Sequence, residues 1–387
     1  MAQQLVLDKV IVGSGISGAS CFSWFARHPS KQTVLLVDKL PSLIESAESS
    51  GVVSKGKRGV EQAVSSSGAS GCWITPPLPD SNTFELTNLL AESHSHALAF
   101  YDSVGAKGVN LPWKLYRKSS IPKDQWELKM PNWIGAKRSR ENDEMVVEAQ
   151  GEEFRFFDKP NEVLSAIIRD ALSHNPACRY LPGVNITHIT PSVKRVAFNS
   201  SSKTSTHVKW TLHSDTHPPI QANQIIFASG SSFRDEGPTH VPELAYLRDA
   251  IHISRGSVMD LESSTPFPPM IQQQNVVLAP LDPPIVDEQG RMKYRARLGS
   301  TQRVEKGEID EKCAQMLESA KVTFPDFPQD AVIVKTRSGE RAYRRSRLPI
   351  VGGLPDPFGS LKLYPNVIHG KLLPKSTPRL SGLYYIG

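Results

Sequence analysis

The chain predicts an α/β protein in two parts, each discontinuous in sequence: one built on a parallel βαβ unit, the other mainly an antiparallel sheet. Three observations carry this. The opening stretch KVIVGSGISGASCFSWFARHPSKQTVLLVDK, Lys9 to Lys39, runs as strand, tight turn, helix, strand. A later helix-patterned segment, EVLSAIIRDAL, precedes a buried-type strand, QIIFA. From Pro238 the chain is Pro-rich and strand-like, with ISRGSVMDL, NVVLAPL and MKYRARLGST in succession. The first part is assigned 1–105, 152–237 and 332–387, and the second 106–151 and 238–331.

In the opening unit the apolar run Val10, Ile11, Val12 reaches Gly13, Gly15 and Gly18 in the spacing G-x-G-x-x-G. Each glycine has a task. Gly13 turns the chain sharply, Gly15 lets backbone N–H groups approach a pyrophosphate, and Gly18 lets helix and strand pack closely. Ile16 and Ser17 open the helix, whose N-terminus turns its partial positive charge toward the phosphates. Asp38 follows Gly18 by 20 positions at the end of the second strand, with Lys39 next. A carboxylate there accepts hydrogen bonds from both ribose hydroxyls and disfavours a 2′-phosphate, which sets NADP aside. The reading is a Rossmann-like dinucleotide-binding domain; a βαβ unit with a flexible turn and no ligand is the alternative.

Bulk properties bound the rest. At 387 residues two domains can each bury a core. Mean hydropathy is -0.31, and no apolar run approaches the ~20 residues needed to span a bilayer. The few residues before the first strand leave no room for a signal peptide, so the expectation is an intracellular, cytoplasmic protein. Cys21, Cys72, Cys178 and Cys313 lie far apart with no C-x-x-C pair, which suits reduced structural thiols and no metal site. The net charge of +6 is too modest over this length to establish a nucleic-acid partner.

Taken in order, Leu40 to Ser67 reads as a surface loop or irregular insertion. Gly68, Ala69, Ser70 and Gly71 then suit a backbone passing close to a flat ring, or a plain Ser/Gly turn. Phe84 to Tyr101 has helical apolar spacing; His94 and His96 on it face different directions and cannot share a metal. Glu162 to Leu172 is an amphipathic helix, with Asp158 or Asn161 available as cap. Short strands are expected at Val184 to Ile189 and Val208 to Leu212. Gln224 to Ala228 runs into Ser229 and Gly230, small residues that can lie beneath a nucleotide. Glu288, Gln289 and Gly290 form a hairpin turn. Beyond it Arg291, Lys293, Arg295 and Arg297 alternate with apolar residues, which puts four cations on one strand face. That face is either solvated or turned to an anionic partner such as RNA. EKCAQMLESA is a short helix. Arg337, Arg341, Arg344, Arg345 and Arg347 crowd before an apolar strand and a Gly-Gly turn, and an arginine fork binds carboxylate or phosphate in bidentate fashion.

These pieces together resemble the flavin-dependent amine oxidases of the D-amino-acid oxidase, glycine oxidase and sarcosine oxidase type. The likeness spans GSGISG with Asp38, SSGASGCW, QIIFASG, RGSV, RARLGST and RRSRLPIVGGLPD. Within that family ERAYRRSRLPIVG is most similar to the oxidase module of the bacterial bifunctional enzyme that matures the wobble uridine of tRNA. The resemblance implies non-covalent FAD: Gly13, Gly15, Ile16, Ser17, Gly18, Asp38 and Lys39 around pyrophosphate and ribose, Ala69 and Ser70 near the flavin. Val184 would hold the adenine side through its backbone, with Ser229 and Gly230 beneath the nucleotide. It further implies hydride loss from a carboxylate-bearing amine, dioxygen as final acceptor and hydrogen peroxide as product. Arg341, by its distance from RLPIVG, would grip the substrate carboxylate; an ion pair to an acidic neighbour is the alternative.

Two departures accompany the resemblance. Leu40 to Ser67 is longer than the family usually carries there, and the family continues past the LYYIG-like strand where this chain ends at Gly387. A fragment or a shortened product is therefore expected. The substrate amine is free or carried on tRNA. The competing readings are a non-catalytic nucleotide- or RNA-binding protein that lost turnover with its tail, and an NAD-dependent dehydrogenase.

Overall fold

A computed structural model of the chain describes residues 6–28, 32–44, 61–62, 73–74, 84–118, 139–140, 145–196, 205–235, 248, 251–268, 270–273, 276–299, 308–324, 326–343, 351–355 and 379–387. In chain order the elements begin with β1 (Val6–Val12), α1 (Ile16–Arg27), β2 (Val34–Asp38), β3 (Glu61–Gln62), β4 (Trp73–Ile74) and α2 (Phe84–Ser103). There follow β5 (Val109–Lys118), β6 (Ser139–Arg140), β7 (Met145–Phe156), α3 (Pro160–His174), β8 (Cys178–Pro182), β9 (Ile186–Val196) and β10 (Ser205–Ser214). The rest are β11 (Ile220–Phe227), α4 (Ser232–Asp235), β12 (His252–Ser263), β13 (Met270–Gln273), β14 (Val276–Val286), β15 (Met292–Gly299), α5 (Ile309–Thr323), β16 (Val332–Tyr343), β17 (Val351–Pro355) and β18 (Arg379–Ile386).

The chain divides into two compact units. The first comprises Met1–Val53, Leu164–Ser254 and Glu340–Gly387. Its sheet runs β17-β18-β11-β1-β2-β8, with the β9–β10 hairpin joined through β10 to β11. β1 lies parallel to both β11 and β2, β2 to β8, and β11 to β18. A strand flanked by parallel neighbours and covered on its faces must be apolar throughout, and Val10, Ile11, Val34, Leu36 and Val37 are all fully buried. The helices obey their own period. α1 buries Gly18, Ala19, Phe22, Ser23 and Ala26 on one side. α3 buries Leu164, Ile167, Ile168 and Ala171, and a 2.8 Å ion pair from Arg27 to Asp170 links it to α1.

One residue of β1 breaks the apolar rule. Lys9 is buried, donates from Nζ to Gln224 Oε1 at 2.7 Å and lies 5.0 Å from the centre of the Phe25 ring. Desolvation lowers its pKa, which the neighbouring Asp8 charge partly opposes. The amide acceptor and the ring face replace part of the lost water.

The second unit comprises Ser54–Val163 and Arg255–Gly339. Its sheet runs β3-β16-β12-β15-β14-β13-β5-β7-β4, with β6 on β7. Pairing is antiparallel at β12–β15, β14–β15 and β5–β7, and parallel where β13 meets β5. One face is dry: Met259, Leu261, Leu278, Ala296 and Leu298 pack with Ile309, Cys313, Leu317 and Ala320 of α5. The β14–β15 hairpin turns where expected. Asp287 accepts the Gln289 and Arg291 backbone N–H groups through Oδ1, each at 2.9 Å, and Gly290 takes φ 77°.

Where the sequence assigned 54–105, 152–163 and 332–339 to the first part, these residues cluster with the second unit, and 238–254, assigned to the second part, cluster with the first. Non-local pairing draws them there. β4 pairs with β7, Arg155 of β7 meets Asp102 of α2 at 2.6 Å, and the Tyr101 and Phe157 rings lie 5.2 Å apart. The two short strands expected from Val184 to Leu212 form one long hairpin, β9–β10, and β8 was not anticipated at all. Among the described residues no helix is long and apolar enough to cross a membrane, and no group of three or more metal-ligating side chains converges.

Candidate functional site

The turn between β1 and α1 is held by contacts that only glycine permits. Gly13 has φ 107°, and a Cβ there would lie 2.6 Å from the Ala228 carbonyl oxygen. A Cβ on Gly18 would fall 1.8 Å from the Gly13 carbonyl oxygen and 3.2 Å from Ala228 Cβ. These two glycines therefore let α1 press onto the turn and the end of β11. Gly15 is the N-cap of α1 and brings no side-chain cap, and no acidic residue stands in the first helical turn. The N-cap residue itself therefore supplies no carboxylate or hydroxyl to the helix start. Its positive end suits an external anion.

Asp38 closes β2 beside this turn and is 9% exposed. Its Oδ2 accepts the Ser14 backbone N–H and its Oδ1 accepts that of Leu40 at 2.8 Å. Each carboxylate oxygen carries a further lone pair, so ribose hydroxyls can still be accepted. A phosphate placed against the same group would meet its charge. The residues present fit an adenine dinucleotide with both ribose hydroxyls free, as in FAD.

The neighbouring positions are built into the same end of the sheet. Val184 is buried, and its N–H already goes to the Asp38 carbonyl at 2.8 Å. Any backbone contact from Val184 to a ligand therefore runs through its carbonyl. At the end of β11 the Ala228 N–H donates to the Val12 carbonyl at 2.8 Å, and Ser229 Oγ reaches the same oxygen at 3.3 Å. Gly230 follows at φ 56° with open space where a Cβ would stand. Lys39 is half-buried next to Asp38. Gly13, Gly15, Ile16, Ser17, Gly18, Asp38, Lys39, Val184, Ser229 and Gly230 are thus gathered in the first unit. Ala69 and Ser70 lie outside the described residues, as do Arg344, Arg345 and Arg347.

Arg341 lies exposed near the end of β16. Four residues earlier on that strand the environment is different. Arg337 is buried and donates from Nη2 to Asp260 Oδ1 at 2.8 Å.

The basic strand needs a correction. Of the four alternating cations, Arg297 is neither solvated nor offered to a partner, because it is 1% exposed. Its Nε donates to Asp260 Oδ1 at 2.8 Å, Nη2 to the Asp158 carbonyl at 2.8 Å and to Asp158 Oδ1 at 3.2 Å, and Nη1 to the Phe157 carbonyl at 3.3 Å. The guanidinium also lies 5.1 Å from the centre of the Phe156 ring. Asp260 thus serves two arginines from adjacent strands, and Asp158, first seen as a helix cap, completes the charge balance. A buried ion cluster persists when every lone pair and N–H is met, and Arg297 approaches that. The available signal was a single acid inside an apolar strand, SVMDLES.

No curated protein matches the sequence. Among solved structures the chain is similar to glycine oxidase from Geobacillus kaustophilus, at TM-score 0.61 and 16% identity, covering 98% of this chain and 88% of that one. Iminodiacetate oxidase from Chelativorans sp. BNC1 gives 0.62 and 14%, with 98% and 89% covered. L-alpha-glycerophosphate oxidase from Mycoplasma pneumoniae, solved with FAD bound, gives 0.62 and 15%, with 99% and 100% covered. At these identities the likeness speaks for the fold. The family model described as FAD dependent oxidoreductase, DAO, matches residues 8–371, a span that runs through both compact units. On that match the chain belongs to the DAO family of FAD-dependent oxidoreductases.

Proposed function

We propose that this oxidoreductase cleaves hydride from the carbon beside the nitrogen of a small, carboxylate-bearing amine or amino acid, and releases hydrogen peroxide. The observation that carries the reading is the start of α1 at Gly15 against the Gly13–Gly18 turn, with Asp38 at its side. When bound, FAD supplies the hydride acceptor and passes the electron pair to dioxygen.

The chain's own residues bind and orient. Gly13, Gly15, Ile16, Ser17 and Gly18 present backbone N–H groups and a helix N-terminus to the pyrophosphate. Asp38, flanked by Lys39, takes the ribose hydroxyls, and Val184 meets the adenine side through its carbonyl. Ser229 and Gly230 floor the nucleotide; for Ala69 and Ser70, outside the described residues, the family resemblance alone assigns a role beside the flavin ring. Arg341 grips the substrate carboxylate with a bidentate fork, which fixes the α-carbon in position. A substrate arriving as the neutral amine needs no side-chain base. Loss of hydride from the neutral amine leaves an iminium ion, which water hydrolyses to the carbonyl product with release of the nitrogen group and a proton to solvent.

Enclosure of Arg297 favours a small substrate over an amine carried on tRNA, because the cation stripe that argued for RNA loses its innermost member. Steady-state peroxide release with glycine, sarcosine and carboxymethylaminomethyl-uridine tRNA tests this. Turnover of the small amines supports it; turnover of the tRNA alone reassigns the substrate. A colourless preparation inert to all three leaves a non-catalytic nucleotide- or RNA-binding protein. Arg341→Met should raise KM for a carboxylate substrate roughly 10- to 100-fold while the bound flavin is unchanged.

A further inference from the structure

Exposed apolar side chains are unevenly spread over this chain. Of the eleven large ones among the described residues, six lie at one end of the second unit: Ile285, Val286, Met292, Val322, Val332 and Val334. Pairing and hydrogen bonds bring them together. Val286 pairs with Met292 across the β14–β15 ribbon, and β15 meets β12 as far as Tyr294 opposite Ser263. Ser263 Oγ and the Ser264 backbone N–H donate to the Asp330 carboxylate at 2.6 and 2.8 Å, two residues before β16 starts at Val332. Gln329 donates from Nε2 to the Lys321 carbonyl at 3.2 Å, next to Val322 at the end of α5. β14, β15, β12 and β16 are consecutive in the sheet, a width of about 14 Å at the usual strand spacing. Val322 is 88% exposed, Val286 62% and Val332 54%, so most of each side chain meets water. Grouping them gains a lone chain nothing and gives an interface its centre.

The charges around the patch indicate what covers it. Arg291 is paired with Asp287 and Lys321 with Glu318. Lys293 and Lys335 are matched in number by Glu288 and Asp326, and Asp330 adds one more acid. This end therefore carries no cationic excess, although the whole chain is +6, and an anionic membrane or nucleic acid finds no attraction here. A patch that meets its own copy across a two-fold axis needs both signs beside its apolar centre, as this one has. Pro283 and Pro284 of β14 lack the N–H groups that strand addition would use, which leaves side-chain packing as the mode. We propose that this end of the second unit is a self-complementary interface whose occupant is a second copy of the chain. The interface is independent of the dinucleotide turn and of the carboxylate contact assigned to Arg341.

The test is sedimentation equilibrium of the FAD-loaded full chain over roughly 1–100 µM, where an interface of modest area dissociates. The expected result is a reversible monomer–dimer equilibrium. A substitution enters a two-fold contact twice, so Val286→Lys should weaken dimerisation about 100-fold or more, with flavin content unchanged. Val332→Lys, on another strand of the same end, should do the same and carries the test if the first variant fails to fold. Val109→Lys, at a position 52% exposed on β5, should leave the equilibrium as in the parent. A chain that is monomeric throughout, a dimer that survives both substitutions at the patch, or one dissociated equally by Val109→Lys would overturn the proposal. So would loss of the fold in both patch variants, or binding to anionic vesicles that Val286→Lys abolishes.

Discussion

The glycine turn of the first unit and the charged face of the second solve opposite problems. The turn makes room: Gly13 and Gly18 remove side chains so that backbone meets backbone, and the N-cap Gly15 brings no side chain to the start of α1. The face fills room: Arg297, Arg337, Asp260 and Asp158 bring charge into the sheet and neutralise it among themselves. A site that expects a ligand is built from missing atoms and unspent dipoles. On the charged face the carboxylates of Asp260 and Asp158 are instead spent on the two arginines.

Breaking the turn should have the largest effect. Gly18→Val places side-chain atoms where even a Cβ falls 1.8 Å from the Gly13 carbonyl, so the first unit should lose more than about 4 kcal/mol and bind no flavin. Urea unfolding and flavin content check both. A soluble variant with full flavin content would mean that α1 can shift at no cost.

Next comes the charged face. Asp260→Ala removes the carboxylate shared by two buried arginines and should destabilise the second unit by about 3–5 kcal/mol. Replacing Asp260 and Arg297 together by apolar residues of similar size should cost less than the single change, a double-mutant result that separates an orphaned charge from a lost contact.

Asp38→Asn sharpens the comparison without demolishing the fold. It keeps an oxygen for one of the two backbone N–H groups and loses the charge that favours free ribose hydroxyls. FAD affinity should fall about tenfold, near 1.4 kcal/mol, while a 2′-phosphorylated nucleotide gains, as fluorescence titration would show.

The smallest effect is in pH. Burial pushes the Cys313 thiol up to about 11 from 9.0, with the Asp310 charge adding in the same direction. The folded chain therefore holds this proton where the unfolded chain has lost it. The contribution is complete below pH 9.0 and is lost as pH rises toward 11. Urea midpoints across that window should fall more steeply in the parent than in Cys313→Ala.

Much of the first unit was legible because its signals are local. G-x-G-x-x-G and Asp38 lie within one βαβ unit, and the spacing itself dictates a turn, a helix start and a strand end. The amphipathic period of α3 and the turn at Gly290 were legible for the same reason. The charged face was not. Alternation along β15 correctly put the cations on one side, but whether that side met water or protein depended on Asp260 and Asp158, 37 and 139 residues away. Val184 shows the same limit at small scale: the position was legible, while the use of its N–H depended on how β2 and β8 pair. No local pattern carries that information.

If the turn at Gly13–Gly18 takes the pyrophosphate of FAD, the absorption spectrum of the purified chain before and after Gly18→Val shows it directly. The prediction is a yellow protein whose flavin is released by denaturation, bleaches when an amine substrate is added without oxygen, and is missing from the variant. A chain that stays colourless after reconstitution with FAD, or one whose flavin survives the substitution, would contradict it.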